Sequence, residues 1–246
     1  MTDMFCYQCQ ETMKNSGCTR RGMCGKSAEV ARLQDLLVYL LKGISFWGTR
    51  ARPMGVKDDE TDLFVAKALF ATITNANFDS DRFVELIKEA IERRDDLRKR
   101  AQARCNELHN SNCTGGGPDW AGWHPENFEV GTLLAKGRTV GVMDDPDLNE
   151  DIRSMRELVI YGLKGIAAYV DHAYLVGGRD ESILAFMQEA LEATTNDKIG
   201  QAEMLAMIQK TGEFGIKGMA LLDAANTGRY GTPEHTQSFR CGKRGQ

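Results

Sequence analysis

The sequence has no apolar run long enough to cross a bilayer: the longest, Leu36 to Leu41, is broken by Lys42-Gly43, whereas a spanning helix needs about 20 such residues. The N-terminus carries no basic-then-apolar leader, so the expectation is a cytoplasmic protein, in a compartment that does not support a disulfide framework. No charge of one sign dominates. A formal net charge of −4 over 246 residues gives no reason to expect nucleic-acid binding. Neither a membrane nor a nucleic acid is an expected partner. What is present is 42% hydrophobic residues, enough to bury one or two cores at this length.

The other conspicuous content is four cysteines near the start, spaced Cys6-x2-Cys9-x8-Cys18-x5-Cys24. A Cys-x-x-Cys pair lets two thiolates converge on one metal centre, because a tight turn brings both sulfurs to one side of the backbone. Cys18 and Cys24 then complete a four-sulfur set. Gly17, Gly22 and Gly25 beside the later cysteines allow close backbone approach and positive φ. The pattern suits an iron–sulfur cluster. Structural zinc also takes four cysteines, but its common frameworks use two short Cys-x-x-Cys knuckles and only one is short here. A disulfide set, or free thiols with no shared role, are the remaining readings. A cluster held by four cysteines has no open coordination position, which suits electron transfer rather than substrate chemistry. On ligands alone the site is an electron relay.

The run Met4-Phe5-Cys6-Tyr7-Gln8-Cys9-Gln10-Glu11-Thr12, followed by Gly17-Cys18-Thr19, Gly22-Met23-Cys24-Gly25-Lys26 and Leu33-Gln34-Asp35-Leu36-Leu37, resembles the N-terminus of the hybrid cluster proteins, the hydroxylamine reductase family. The resemblance implies that Cys6, Cys9, Cys18 and Cys24 hold a cubane [4Fe-4S] cluster; a branch with wider spacing holds [2Fe-2S] instead. It also implies an all-α N-terminal domain made of a pair of three-helix bundles. In that family two α/β domains follow, with the ligands of a hybrid iron–sulfur–oxygen cluster where hydroxylamine is reduced to ammonia or nitric oxide to nitrous oxide. The likeness here extends to Thr236-Gln237 and fades in the last residues, so no hybrid cluster is expected, and His235 and Cys241 match no ligand motif. The implied partners are a redox donor protein or the catalytic domains themselves. This chain alone is expected to lack the substrate-reducing site. Alternatives that stay open are a structural or interaction module with a non-redox metal site, and a truncated inactive fragment.

Beyond the cysteines the chain reads as helix. Ser27 can cap a helix whose apolar residues Leu33, Leu36, Leu37, Leu40, Leu41, Ile44 and Trp47 share one face. Pro53 and Gly55 end it. A second helix carries Phe64, Ala68, Leu69 and Ile73, and stops around Asn75 to Asn77. A third, capped by Asp79 or Ser80, presents Phe83, Leu86, Ile87, Ala90, Ile91 and Leu97. Its basic far end, with Arg93, Arg94, Arg98, Lys99, Arg100 and Arg104, reads as a solvated face rather than a dock for an acidic donor. Cys105-x3-His109-x3-Cys113 would share a helical face, yet three ligands do not close a site. Residues 110–127, with Gly115-Gly116-Gly117-Pro118, Trp120, Trp123 and Pro125, read as a linker tucking aromatics against the core.

The second half repeats the first. Gln34 to Ile44 aligns with Arg156 to Ile166, and Ala68 to Thr72 with Ala190 to Thr194, both at a shift of 122 residues. A single shift serving two separated segments points to internal duplication. The expected architecture is therefore an all-α fold: a cysteine-rich cluster loop followed by two packed three-helix bundles. Its expected divisions are 1–27 for the cluster segment, 28–109 for the first bundle, 110–150 for the linker, 151–230 for the second bundle and 231–246 for a divergent tail. Lys42 and Lys164 recur in the two copies and read as packing residues. His172 reads as a structural hydrogen-bonder, Asp144 to Asp151 as the acidic approach to a helix N-terminus, and Met204, Met207 and Met219 as plastic core.

Overall fold

A computed structural model describes residues 3–110 and 117–234. The fold is all-α. The long helices are α1 (Ala28–Ala51), α2 (Asp59–Ala71), α3 (Ser80–His109), α4 (Val130–Gly137), α5 (Glu150–Leu175), α6 (Glu181–Ala193) and α7 (Gln201–Tyr230), and no strand forms among the described residues. None of these helices is long and apolar enough to cross a membrane.

The helix starts are set chemically. The Ser27 hydroxyl accepts from the Val30 N–H at 3.1 Å, and Asp58, Asp79, Asn149 and Asp180 cap their helices the same way, each satisfying backbone donors that the first turn leaves unpaired. The apolar stripe from Leu33 to Trp47 is wholly buried, as is that from Phe83 to Leu97 on α3. Ile73 lies just past the end of α2.

The helix bounds repeat at the sequence shift. Moved by 122, the bounds of α2 become 181 and 193, those of α6, and the start of α1 becomes 150, that of α5. Packing does not follow chain order, however. The short helices are exchanged: α6 packs on α1, and α2 packs on α5. At Gly48 of α1 an added Cβ would lie 1.9 Å from Gln188 Oε1 of α6, and Arg50 pairs with Glu192 at 3.2 Å. Phe70 of α2 meets the ring of His172 of α5 edge-on at 5.4 Å. Between the short helices, Gln188 Nε2 donates to Asp62 Oδ1 at 2.6 Å, and Arg52 bonds the other oxygen of the same carboxylate at 2.6 Å. Two three-helix groups result, α1–α3–α6 and α5–α7–α2, each borrowing one helix from the other half.

The stretch read as a linker is more ordered than its composition suggests. It contains α4, whose Leu133 is buried and whose Gly137 lies so close to α1 that a Cβ would sit 2.5 Å from the Arg32 carbonyl oxygen. Trp47 donates its indole N–H to the Ala121 carbonyl at 2.8 Å, and the Trp120 carbonyl presses on Gly43, where a Cβ would lie 2.1 Å away. The aromatics are tucked against the core, as expected. The basic run on α3 divides: Arg94 is fully buried and donates to the Trp123 carbonyl at 2.7 Å and to Asp95. The expectation of a solvated face fails for this residue, because its guanidinium is needed to satisfy the loop that covers it.

Candidate metal centre

The cysteine loop folds back on itself ahead of α1. Cys6 and Cys18 pair as antiparallel backbone, with Cys6 N–H donating to the Cys18 carbonyl at 3.1 Å and Cys18 N–H to the Cys6 carbonyl at 2.8 Å. Met4 N–H adds a bond to the Thr19 carbonyl at 3.2 Å. Two cysteines twelve residues apart are thus set side by side by main chain alone. Cys9 opens a turn closed by the Thr12 N–H on its carbonyl. Near Cys24, Gly25 has φ +95°, a conformation that side chains resist. A Cβ on Gly22 would approach Cys24 Sγ to 3.0 Å, and one on Gly17 would meet the Phe5 ring at 2.5 Å. The three glycines predicted to matter do so, one through its dihedral angle and two through close approach.

All four cysteines are free thiols; Cys18 is buried, and Cys6, Cys9 and Cys24 are partly exposed. Met4, Cys18 and Ala31 form a small apolar cluster separate from the main core, which seats the loop on the first turn of α1. Lys26, fully buried, donates to Gln34 Oε1 at 2.6 Å and holds its ammonium 3.9 Å from Cys6 Sγ. On the far side the Tyr7 hydroxyl donates to Glu157 Oε2 at 2.9 Å. Burial, reinforced by this carboxylate, pushes the Tyr7 phenol well above its ordinary range, so it stays protonated as a donor. The loop is thereby tied to both halves of the molecule. No three Cys, His, Asp or Glu side chains among the described residues are arranged to hold a single metal ion.

Residues 4–244 match the Prismane/CO dehydrogenase family. The chain belongs to this family. Curated relatives include the hydroxylamine reductase of Halothermothrix orenii, 50% identical over 234 residues, which are 95% of this chain and 41% of the relative. That of Petrotoga mobilis is 46% identical over 237 residues, 96% of this chain and 43% of the relative. That of Parabacteroides distasonis is 49% identical over 240 residues, with 95% and 41% covered. The chain spans about two fifths of the length of the relatives it matches. The likeness read from the cysteine motif therefore extends along almost the whole prismane-family chain.

The other sequence candidates fall away from this loop. Cys105 lies in the last turns of α3, and Cys113, like His235 and Cys241, lies outside the described residues. His172 hydrogen-bonds the Ala168 carbonyl at 2.6 Å beside Phe70, a structural role. Met204 is buried and Met207 packs on the core, but Met219 is exposed. Lys42 and Lys164 hold a place that the repeat alone did not reveal: both line a cavity of about 260 Å³ between the cysteine loop, α1 and α5, which reaches Cys6 and Tyr7.

Proposed function

We propose that this prismane-family chain is a cytoplasmic iron–sulfur electron-transfer module in which Cys6, Cys9, Cys18 and Cys24 hold a [4Fe-4S] cluster. The observation that carries the reading is one loop presenting four free thiols, two of them locked side by side by backbone pairing. Four thiols are a soft donor set suited to iron–sulfur clusters or zinc. Common zinc frameworks use two short Cys-x-x-Cys knuckles, and only Cys6-x2-Cys9 is short here, which favours a cluster over zinc, with [2Fe-2S] the nearer alternative.

When bound, the cluster stores and releases one electron at a time. The chain's own residues then have defined tasks. The Lys26 ammonium beside Cys6 Sγ offsets thiolate charge. Burial of Cys18 with Met4 and Ala31 keeps water from one edge of the loop. The Tyr7–Glu157 bond fixes the loop against α5. The proposed partners are a redox donor protein on one side and, on the other, catalytic domains such as those that account for the extra length of the hydroxylamine reductases. Reduction of hydroxylamine is assigned to that assembly, because a four-cysteine site leaves no open position for substrate.

The test is iron and acid-labile sulfide content, with EPR spectra before and after reduction, on protein purified without oxygen. About four irons and four sulfides, with a reduced S = 1/2 signal lost in Cys9→Ala, are expected for the cubane. Stoichiometric zinc, or no metal, overturns the proposal.

A further inference from the structure

The cavity beneath the cysteine loop is built from the repeat. Four pairs of its lining residues are related by the shift of 122: Asp35 with Glu157, Val38 with Ile160, Tyr39 with Tyr161, and Lys42 with Lys164. The two copies of one helix, α1 and α5, thus face each other across the same small space. Each brings one carboxylate and one ammonium to it.

The carboxylates have partners elsewhere. Asp35 lies 3.5 Å from Arg32, and Glu157 accepts from Tyr7. From the loop before α5, Asp145 accepts from the N–H groups of Asp147 and Leu148. The two arginines on the wall are likewise engaged: Arg153 with Glu150 at 2.5 Å, and Arg156 with Asp197 at 2.9 Å and the Asn196 carbonyl. Both nonetheless keep a buried Nε–H with no acceptor.

The lysines differ. No described carboxylate lies within ion-pairing distance of either. Lys42 makes no hydrogen bond to a described residue, and Lys164, buried, has the Gln8 amide oxygen at 2.9 Å once that amide is turned to suit its neighbours. Two ammonium groups without a carboxylate partner therefore border one cavity, and the arginines on its wall have their guanidinium groups largely engaged elsewhere. A buried charge without a counter-ion is costly, and recognition of an acceptor-rich anion would remove that cost.

We infer that this cavity is a binding site for a small inorganic oxyanion, held between Lys42 of the first copy and Lys164 of the second. The site needs both halves of the repeat, since each copy supplies one of the two lysines. Its volume accommodates an ion of sulfate size with accompanying water. Burial, together with the nearby Lys26 charge, lowers Lys164 to about 8, opposed by Glu157 and Asp35; burial lowers Lys42 as well. The groups facing this pair are Cys6, Tyr7 and Lys26 from the loop, Asp35 and Tyr39 from α1, Asp145 from the loop before α5, and Arg153, Arg156, Glu157 and Tyr161 from α5. Asp35, pushed up to about 7 by burial, adds little repulsion at or below neutral pH.

The experiment is calorimetric titration with sulfate, which keeps its charge across the working range, at constant ionic strength from pH 6.5 to 9.5. One saturable event is expected at pH 6.5, weakening by about tenfold or more as Lys164 loses its proton above pH 8. Lys42→Gln and Lys164→Gln are each expected to weaken binding about tenfold, and Lys42→Arg to retain it. No saturable binding, unchanged affinity in both glutamine variants, or affinity flat with pH overturns the proposal. Far-UV circular dichroism shows whether each variant is folded. If neither glutamine variant folds, the pH series on the unmodified protein decides. Cys6 lines the same cavity, so each titration is run on protein of determined metal content; anion binding is read by heat and not by colour or EPR, so a failed cluster assignment and a failed anion site remain distinguishable.

Discussion

At the scale of single residues, Lys26 links the loop to the helix. Its ammonium sits between a cysteine sulfur and the Gln34 amide oxygen, with almost no solvent. Replacing it by methionine keeps most of the volume but strands a buried acceptor, which costs about 1–3 kcal/mol. Urea denaturation of Lys26→Met is expected to show that loss, and an unchanged midpoint would mean that the bond contributes nothing. Asp35 acts in the opposite sense. Burial raises its carboxyl from 3.8 to about 7, so the folded state holds a proton that the unfolded chain has released. Stability from this group is therefore full below about pH 4 and declines as the pH rises towards 7. Asp35→Asn is expected to abolish that decline, with a gain on the order of a few kcal/mol over the unmodified protein at pH 8 and little at pH 4. Equal pH profiles for the two proteins would refute it. The sequence disclosed the cysteines through their spacing but neither of these groups, because a lysine next to Ser27 and an aspartate within a helix carry no mark of burial. Arg94 was obscured for the same reason: within a basic run it looks like its solvated neighbours.

At the scale of elements, Gly43 and Gly165 occupy the same place in α1 and α5, yet their surroundings differ. A Cβ at Gly43 would lie 2.1 Å from the Trp120 carbonyl oxygen, whereas nothing stands within 4 Å of one at Gly165. Gly43→Ala is expected to destabilise by about 1–3 kcal/mol through overpacking against a backbone atom. Gly165→Ala is expected to stabilise by roughly 0.5–1 kcal/mol through helix propensity. Thermal midpoints moving in the same direction would refute this contrast. Helices α1 and α3 were legible because their apolar spacing is strict over several turns. The short α4 was hidden in a glycine- and proline-rich stretch, where two turns of helix leave too little periodicity to register. Lys42 and Lys164 were visible as a recurrence, but the repeat alone could not distinguish two packing residues from two walls of one cavity.

At the scale of the whole molecule, the exchange of α2 and α6 makes the halves interdependent. Each three-helix group lacks a wall until the other half supplies it, so the chain is expected to unfold in one cooperative transition. Two resolved calorimetric transitions would show instead that the halves fold separately. Chain order implied two consecutive bundles because periodicity identifies the buried face of a helix without identifying its partner. The packing of α6 on α1 also orders events during synthesis. The face of α1 that receives α6 has no cover until residues 181–193 have left the ribosome, so the nascent first half must keep that face open while the four intervening helices are made. Ribosome-bound chains stalled near residue 140 are expected to stay protease-sensitive and to bind chaperones, whereas chains released past α7 are not. Protease resistance already present at residue 140 would show that the first half closes on its own.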